Sequence, residues 1–128
     1  MKIFISFFLV FIGLGVANVF SQNDSIQILD PSHFNRVMQL NKESVVVDLR
    51  AKKEFKKGHI MGAHLAIDSK ELYRLIDSLG TSRVYLLYCK YGDRSIDAGR
   101  LINEKYKISV CSLDGGLDFW LESGFGLE

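Results

Sequence analysis

Two apolar runs, Val45-Val46-Val47 and Val84-Tyr85-Leu86-Leu87-Tyr88, show no alternation with polar residues. A strand with one wet face alternates; a strand that does not is covered on both faces, as in a parallel sheet between helical layers. Parallel strands need long return connections, and helical patterns occupy the intervals here. Asp30-Pro31 reads as a helix start, with Asp30 as N-cap, Pro31 first in the helix, and Phe34, Val37, Met38 and Leu40 as its apolar face. Ala51–Lys57 reads as a short charged helix ended by Gly58. Ser69–Leu79 carries Leu72, Leu75, Ile76 and Leu79 on one side. Ser95–Glu104 and Leu117–Glu122 complete the helices, with Ser95 expected as N-cap of the former. Ile26–Leu29, Ser44–Leu49, Ala63–Ile67, Val84–Tyr88 and Ile108–Leu113 are the expected strands, and Gly115-Gly116 breaks the last one. The alternation predicts one α/β domain, a mostly parallel five-stranded sheet with helices on both faces. Ligands of such sheets bind beyond the C-terminal strand ends, which singles out the loops after Asp48 and after Tyr88.

The 128 residues suffice for one domain once an N-terminal segment is set aside. Met1 to Ser21 reads as an export signal: Lys2 gives the positive start, and Ile3 to Val16 is almost unbroken apolar sequence. Cleavage is expected after Ser21, with Val19 at the third position before the cut, or after Ala17. The other reading is a retained membrane anchor over residues 3–20, near the length of about 20 residues needed to span a bilayer. Ser6, Gly13, Gly15 and Asn18 dilute that segment. The expected products are a signal peptide, residues 1–21, and an exported, periplasmic domain, residues 22–128. Loss of Lys2 takes the 16 basic residues to 15, equal to the 15 acidic ones. That balance points away from nucleic acid as a partner. Two cysteines, Cys89 and Cys111, are too few for a disulfide framework.

The chemistry concentrates at Cys89-Lys90-Tyr91-Gly92-Asp93-Arg94-Ser95, which joins a buried strand to a helix. A short loop feeding a helix N-terminus turns backbone N–H groups into one hollow, where a negative group is stabilised. A thiol in that hollow is expected to ionise more readily than a free one. Lys90 and Arg94 add positive charge, and Gly92 permits a tight bend. The same hollow suits a persulfide or an incoming anion. These features point to nucleophilic covalent catalysis in two steps, with Cys89 taking the outer sulfur of a donor and passing it to an acceptor. The partners expected are a small anionic sulfur donor and a thiol or cyanide acceptor, with a partner sulfur protein as another candidate. Neither a metal nor a cofactor is called for.

Three blocks resemble the rhodanese-like domain, the thiosulfate sulfurtransferase superfamily. The first is Val45-Val46-Val47-Asp48-Leu49-Arg50 with Glu54-Phe55 and Gly58-His59-Ile60-Met61-Gly62-Ala63. The second is Cys89 to Ser95, similar to Cys-x-x-Gly-x-Arg-Ser. The third is Leu113-Asp114-Gly115-Gly116 followed by Trp120. The resemblance spans about Ile26 to Phe125. It implies that Cys89 bears a persulfide and that Cys89–Arg94 is the active-site loop, its amides cradling the sulfur. It implies that Arg94 holds the loop or binds the donor. It also implies that Asp48 and Arg50 brace the site through ion pairs, with Glu54 as a candidate partner of Arg50. Related phosphatases use a loop one residue longer, and the smaller hollow here suits sulfur better than phosphate. Met61 replaces the family's usual Pro, and Asp93 places a negative charge inside the loop.

Other residues read as scaffold or surface. His59 is expected to buttress the turn into the third strand, and His33 and His64 lack metal-ligand spacing. Lys52, Lys53, Lys56 and Lys57 read as a solvated face, or as local attraction for anionic donors. Tyr91 is expected to face outward, where it is a candidate for acceptor selection, while Phe119 and Trp120 are expected in the core. Cys111 is expected to be buried. Two alternatives stand beside the transferase: a sulfur carrier or interaction module without turnover, and a thiol-disulfide protein pairing Cys89 with Cys111.

Overall fold

The computed structural model describes residues 26–128. The export segment expected at residues 1–21 lies outside them. Five strands form one sheet: β1 (Ile26–Leu29), β2 (Ser44–Asp48), β3 (His64–Leu65), β4 (Val84–Tyr88) and β5 (Val110–Leu113). Their order is β1-β5-β4-β2-β3, and every pairing is parallel. Five helices alternate with them: α1 (Pro31–Leu40), α2 (Lys52–Lys57), α3 (Ser69–Leu79), α4 (Asp93–Tyr106) and α5 (Gly116–Glu122).

The unalternating runs occupy the strands with helices on both sides. Val45 and Val47 of β2, and Tyr85 and Leu87 of β4 with Cys89 just beyond it, face Leu72 and Ile76 of α3 and Ile102 of α4. Val46, Leu86 and Tyr88 point the other way, toward Phe34 of α1 and Leu117 and Trp120 of α5. Burying a side chain such as Ile76 or Ile102 contributes about 1.5–3 kcal/mol. Helix starts follow local chemistry. The Asp30 carboxylate accepts from the His33 N–H at 2.8 Å, ahead of Pro31. Asp68 accepts from the Glu71 N–H at 2.8 Å, while Glu71 reaches back to the Ile67 N–H at 3.0 Å. This reciprocal pair satisfies two donors that a helix start leaves open.

Four expectations need correction. β3 is two residues long rather than Ala63–Ile67, because a turn closed by Ala63 N–H to Ile60 O precedes it. β5 begins at Val110 rather than Ile108; α4 runs on to Tyr106, and Lys107 takes a left-handed conformation with φ 57°. α4 starts at Asp93, two residues before the expected Ser95. Gly92, at φ 106° and ψ −24°, supplies the left-handed residue from which the helix departs. Ser95 is therefore no N-cap; it lies fully buried inside the helix and donates to Gly92 O at 2.9 Å. Phe119 is not core: it is 39% exposed, while its neighbour Trp120 is buried against Phe34 and Phe125.

Candidate active site

β2 and β4 are adjacent and in register, Asp48 opposite Tyr88, so the loops after them open at one end of the sheet. Cys89 follows Tyr88 directly and is 2% exposed. Its Sγ accepts the Gly92 N–H at 3.1 Å. Several amides were expected on the sulfur; among the described residues Gly92 supplies the backbone N–H that bonds to it. The first backbone bond of α4 runs from Ile96 N–H to Gly92 O at 3.3 Å. The amides of Asp93, Arg94 and Ser95 precede it and have no carbonyl one turn back within the helix.

The loop is gripped from behind by α5. Leu117 N–H donates to Cys89 O at 2.8 Å, and Asp118 N–H to Lys90 O at 3.1 Å. The approach is so close that a Cβ at Gly116 would stand 2.5 Å from the Lys90 carbonyl carbon and oxygen. Gly116 also sits at φ +64°, which disfavours any side chain. The Gly-Gly pair seen in the sequence as a strand breaker is thus the socket of the cysteine loop.

Asp48 and Arg50 form a buried ion pair. The Arg50 Nη2 and Nε donate to Asp48 at 2.8 to 3.1 Å, and the Arg50 backbone N–H donates to the same carboxylate at 2.8 Å. A second Nη2 bond goes to Gly58 O at 2.7 Å, which ties the turn after α2 to the end of β2. The ion-pair partner of Arg50 is Asp48 and not the candidate Glu54. Tyr88 joins the cluster: its hydroxyl donates to Asp48 at 2.6 Å and accepts the Ile60 N–H at 3.0 Å. Burial, and then the Asp48 hydrogen bond and charge, push the Tyr88 hydroxyl far above its ordinary range. Burial works against the Arg50 charge, but the Asp48 hydrogen bond and charge outweigh it and hold the guanidinium above its ordinary value.

Arg50, Glu54, Cys89, Lys90, Tyr91, Asp93 and Arg94 line a cleft of about 260 Å³ over the sulfur. Arg94 is exposed on its rim, with Nη2 donating to Leu49 O at 3.2 Å. Lys90 lies 5.0 Å from the Tyr91 ring centroid and Tyr91 is 62% exposed, the outward position expected of it. Tyr91, then Asp118 and Glu54, hold the Lys90 ammonium above its ordinary value. Asp93 takes part in none of the ion pairs found among the described residues. It occupies the first turn of α4, where the helix dipole favours a carboxylate. The structure therefore gathers Cys89, Lys90, Tyr91, Asp93, Arg94 and Arg50 at one cleft. It places Asp48 behind Arg50, with Gly92 and Ser95 behind the sulfur.

His59 braces the scaffold: Nδ1 donates to Phe55 O at 2.9 Å, the two rings stack at 3.8 Å, and its backbone pairs with Glu128 in both directions. Cys111 packs with Phe34, Val46 and Trp120, whereas Cys89 packs with Val45, Val47 and Ile102. The two thiols thus lie on opposite faces of the sheet, and both are free. A Cys89–Cys111 disulfide would have to pass through the sheet, so the thiol-disulfide reading loses its structural basis. Burial pushes the Cys111 thiol up.

Sequence reasoning missed two participants, Tyr88 and Ser112. Ser112 Oγ lies 2.7 Å from Ser95 Oγ, and both residues are fully buried. A hydroxyl within a strand covered on both faces must find a hydrogen-bond partner, and that was the signal available.

The chain is similar to several known proteins. It is 31% identical over 91 residues to the thiosulfate sulfurtransferase GlpE of Shewanella oneidensis, a match covering 70% of this chain and 89% of that protein. It is 31% identical over 83 residues to the tRNA sulfurtransferase of Pyrobaculum aerophilum. That match covers 64% of this chain but spans only 17% of the longer protein. The fold superimposes on the crystal structure of a thiosulfate sulfurtransferase from Pseudomonas aeruginosa with a TM-score of 0.70 and 25% identity. The superposition covers 80% of this chain and 19% of that one. The family model for the rhodanese-like domain matches residues 34–123, from the core of α1 through the end of α5. With its parallel sheet and its cysteine loop docked on a Gly-Gly socket, the chain belongs to the rhodanese-like domain family.

Proposed function

We propose that the protein is a sulfurtransferase that carries sulfane sulfur on Cys89. The observation that carries this reading is the seat of Sγ, at the floor of a cleft walled by Lys90, Arg94 and Arg50, with the Gly92 N–H aimed at it from 3.1 Å. Cys89 thiolate attacks the outer sulfur of thiosulfate. The new S–S bond forms as the old one breaks, and its electron pair leaves with sulfite. The persulfide anion then occupies the cleft, where the first amides of α4 and the rim cations offset its charge. Cyanide or a thiolate attacks the outer sulfur, and thiocyanate or a new persulfide departs as Cys89 regains its thiolate. A persulfide donor enters the same way, with a thiolate as leaving group. The sulfurtransferase names of the relatives support this reading, as does the short Cys89–Arg94 spacing, whose smaller hollow suits sulfur better than phosphate.

Thiocyanate production from thiosulfate and cyanide tests the proposal. Native protein is expected to turn over, to gain the mass of one sulfur atom on incubation with thiosulfate alone, and to lose both properties in Cys89→Ala. Stoichiometric sulfur loading without turnover would replace the transferase with a carrier. No loading at all would overturn both. We further propose that the protein is exported and works in the periplasm after removal of residues 1–21. N-terminal sequencing of the secreted protein should begin at Gln22, and a retained Met1 would refute cleavage.

A further inference from the structure

Three hydrogen-bonding side chains meet beneath the cleft: Cys89 from the end of β4, Ser95 from the first turns of α4, and Ser112 from β5. Ser95 Oγ is 3.7 Å from Cys89 Sγ, 2.9 Å from Gly92 O and 2.7 Å from Ser112 Oγ. Ser95 and Ser112 are both 0% exposed. No water-filled alternative is open to either hydroxyl, so their hydrogens must be distributed among these groups.

Ser95 has one hydrogen to give. With the thiol protonated, Ser95 donates to Gly92 O and receives the S–H. With Cys89 as the thiolate, the S–H is gone and Sγ can only accept. The Ser95 hydrogen then turns toward it. In both states the hydrogen of Ser95 is committed away from Ser112, so Ser112 must be the donor in the 2.7 Å bond. We propose that Ser112 is a positioning residue for sulfur transfer. Its permanent donation fixes Ser95 Oγ and polarises the Ser95 O–H, making it a stronger donor to Cys89 Sγ, the sulfur that becomes thiolate when the outer sulfur leaves with the acceptor. Register supports the assignment. β5 pairs with β4 at Leu87–Ser112, and the pleat sends Ser112 to the Cys89 face of the sheet while Cys111 and Leu113 go to the other. A hydroxyl carried on a central strand is held more rigidly than one on a loop.

This inference rests on the Cys89 persulfide reading, and its test separates the two. Wild type, Ser112→Ala, Ser95→Ala and a core control, Ile102→Val, are loaded with thiosulfate. The discharge of the Cys89 persulfide to cyanide is followed by intact mass, alongside thermal stability. Ile102 belongs to the same core cluster as Cys89 and carries no hydrogen-bonding side-chain group. Ser112→Ala is expected to lengthen the persulfide lifetime against cyanide about three- to tenfold, because the departing Sγ thiolate loses the weight of one polarised hydrogen bond to a charged group. Ser95→Ala should do at least as much, and Ser112→Ala combined with Ser95→Ala should add little to Ser95→Ala alone. Ile102→Val should lower stability and leave the lifetime unchanged. A wild-type lifetime in folded Ser112→Ala overturns the inference while leaving the persulfide in place. A lifetime lengthened equally by Ile102→Val assigns Ser112 to packing and also overturns it. Failure of the wild type itself to load sulfur overturns the functional reading instead.

Discussion

Removing the Asp48 carboxylate leaves the Arg50 guanidinium in the interior with no counter-charge, along with the Tyr88 hydroxyl deprived of its acceptor. Both members of the pair are buried, at 0% and 7% side-chain exposure, so solvent does little to soften the loss. Asp48→Ala is expected to cost about 3–5 kcal/mol, read as a lowered urea midpoint. An unchanged midpoint would mean the pair is not formed in solution. Of the residues near the sulfur, those legible in the sequence were the ones with fixed spacing to the cysteine, Gly92 and Arg94, and the Asp48–Arg50 pair after a β-branched run. Tyr88 was not legible because its ring belongs to an apolar run and reads as packing; only the fold shows its hydroxyl reaching Asp48. The role of Ser112 depends on strand register, which a single sequence does not print.

Elements here are set against one another at a few backbone contacts, and the docking of α5 on the cysteine loop is the tightest. A methyl group at position 116 would meet the Cys89 carbonyl oxygen at 2.6 Å and the Lys90 carbonyl at 2.5 Å. Something must move, and backbone on both sides leaves the loop itself to do so. Gly116→Ala is expected to lower thiocyanate formation by more than about tenfold, with a smaller proportional loss of thermal stability, since roughly 1–2 kcal/mol of left-handed strain falls on the same peptide. Activity near wild type would show that the loop tolerates displacement. The existence of all five strands and the starts of α1 and α3 were visible in advance; the Asp30 cap acts within one turn and so is read locally, while the Asp68 cap of α3 came from the structure. The start of α4 was misplaced by two residues for a physical reason. Ser95 has the chemistry of a cap, but Gly92 with its positive φ turns the chain earlier and leaves the serine free for the interior.

Across the whole molecule, stability should fall at alkaline pH. The fold keeps the Tyr88 hydroxyl protonated far above the usual tyrosine value, chiefly by burial. Below about pH 10 the folded and unfolded chains both carry that proton, and it has no effect on the balance. Above that pH the unfolded chain releases it first, the folded state holds more protons, and unfolding becomes easier with each further rise. Tyr85 and Cys111, raised by burial in the same direction, add to the decline. Urea midpoints measured between neutral and strongly alkaline pH should therefore decrease, less steeply in Tyr88→Phe; a parallel slope in that variant would remove Tyr88 from the account. Such coupling was beyond a reading of sequence pattern, since it arises where the ends of β2 and β4 converge on the turn at Ile60.

That convergence has a consequence for how sulfur is kept. Cys89 directly follows β4 and Ser112 lies on the adjacent β5, with the Asp48 cluster at the end of β2, so the seat of the sulfur is founded on the three inner strands rather than on an edge. On the proposed function, a reductant too bulky for the cleft would reach the sulfur only when the cysteine loop lifts off α5, while a slender nucleophile would enter at once. The protein would then act as a size-selective vault whose lock is the docking of that loop.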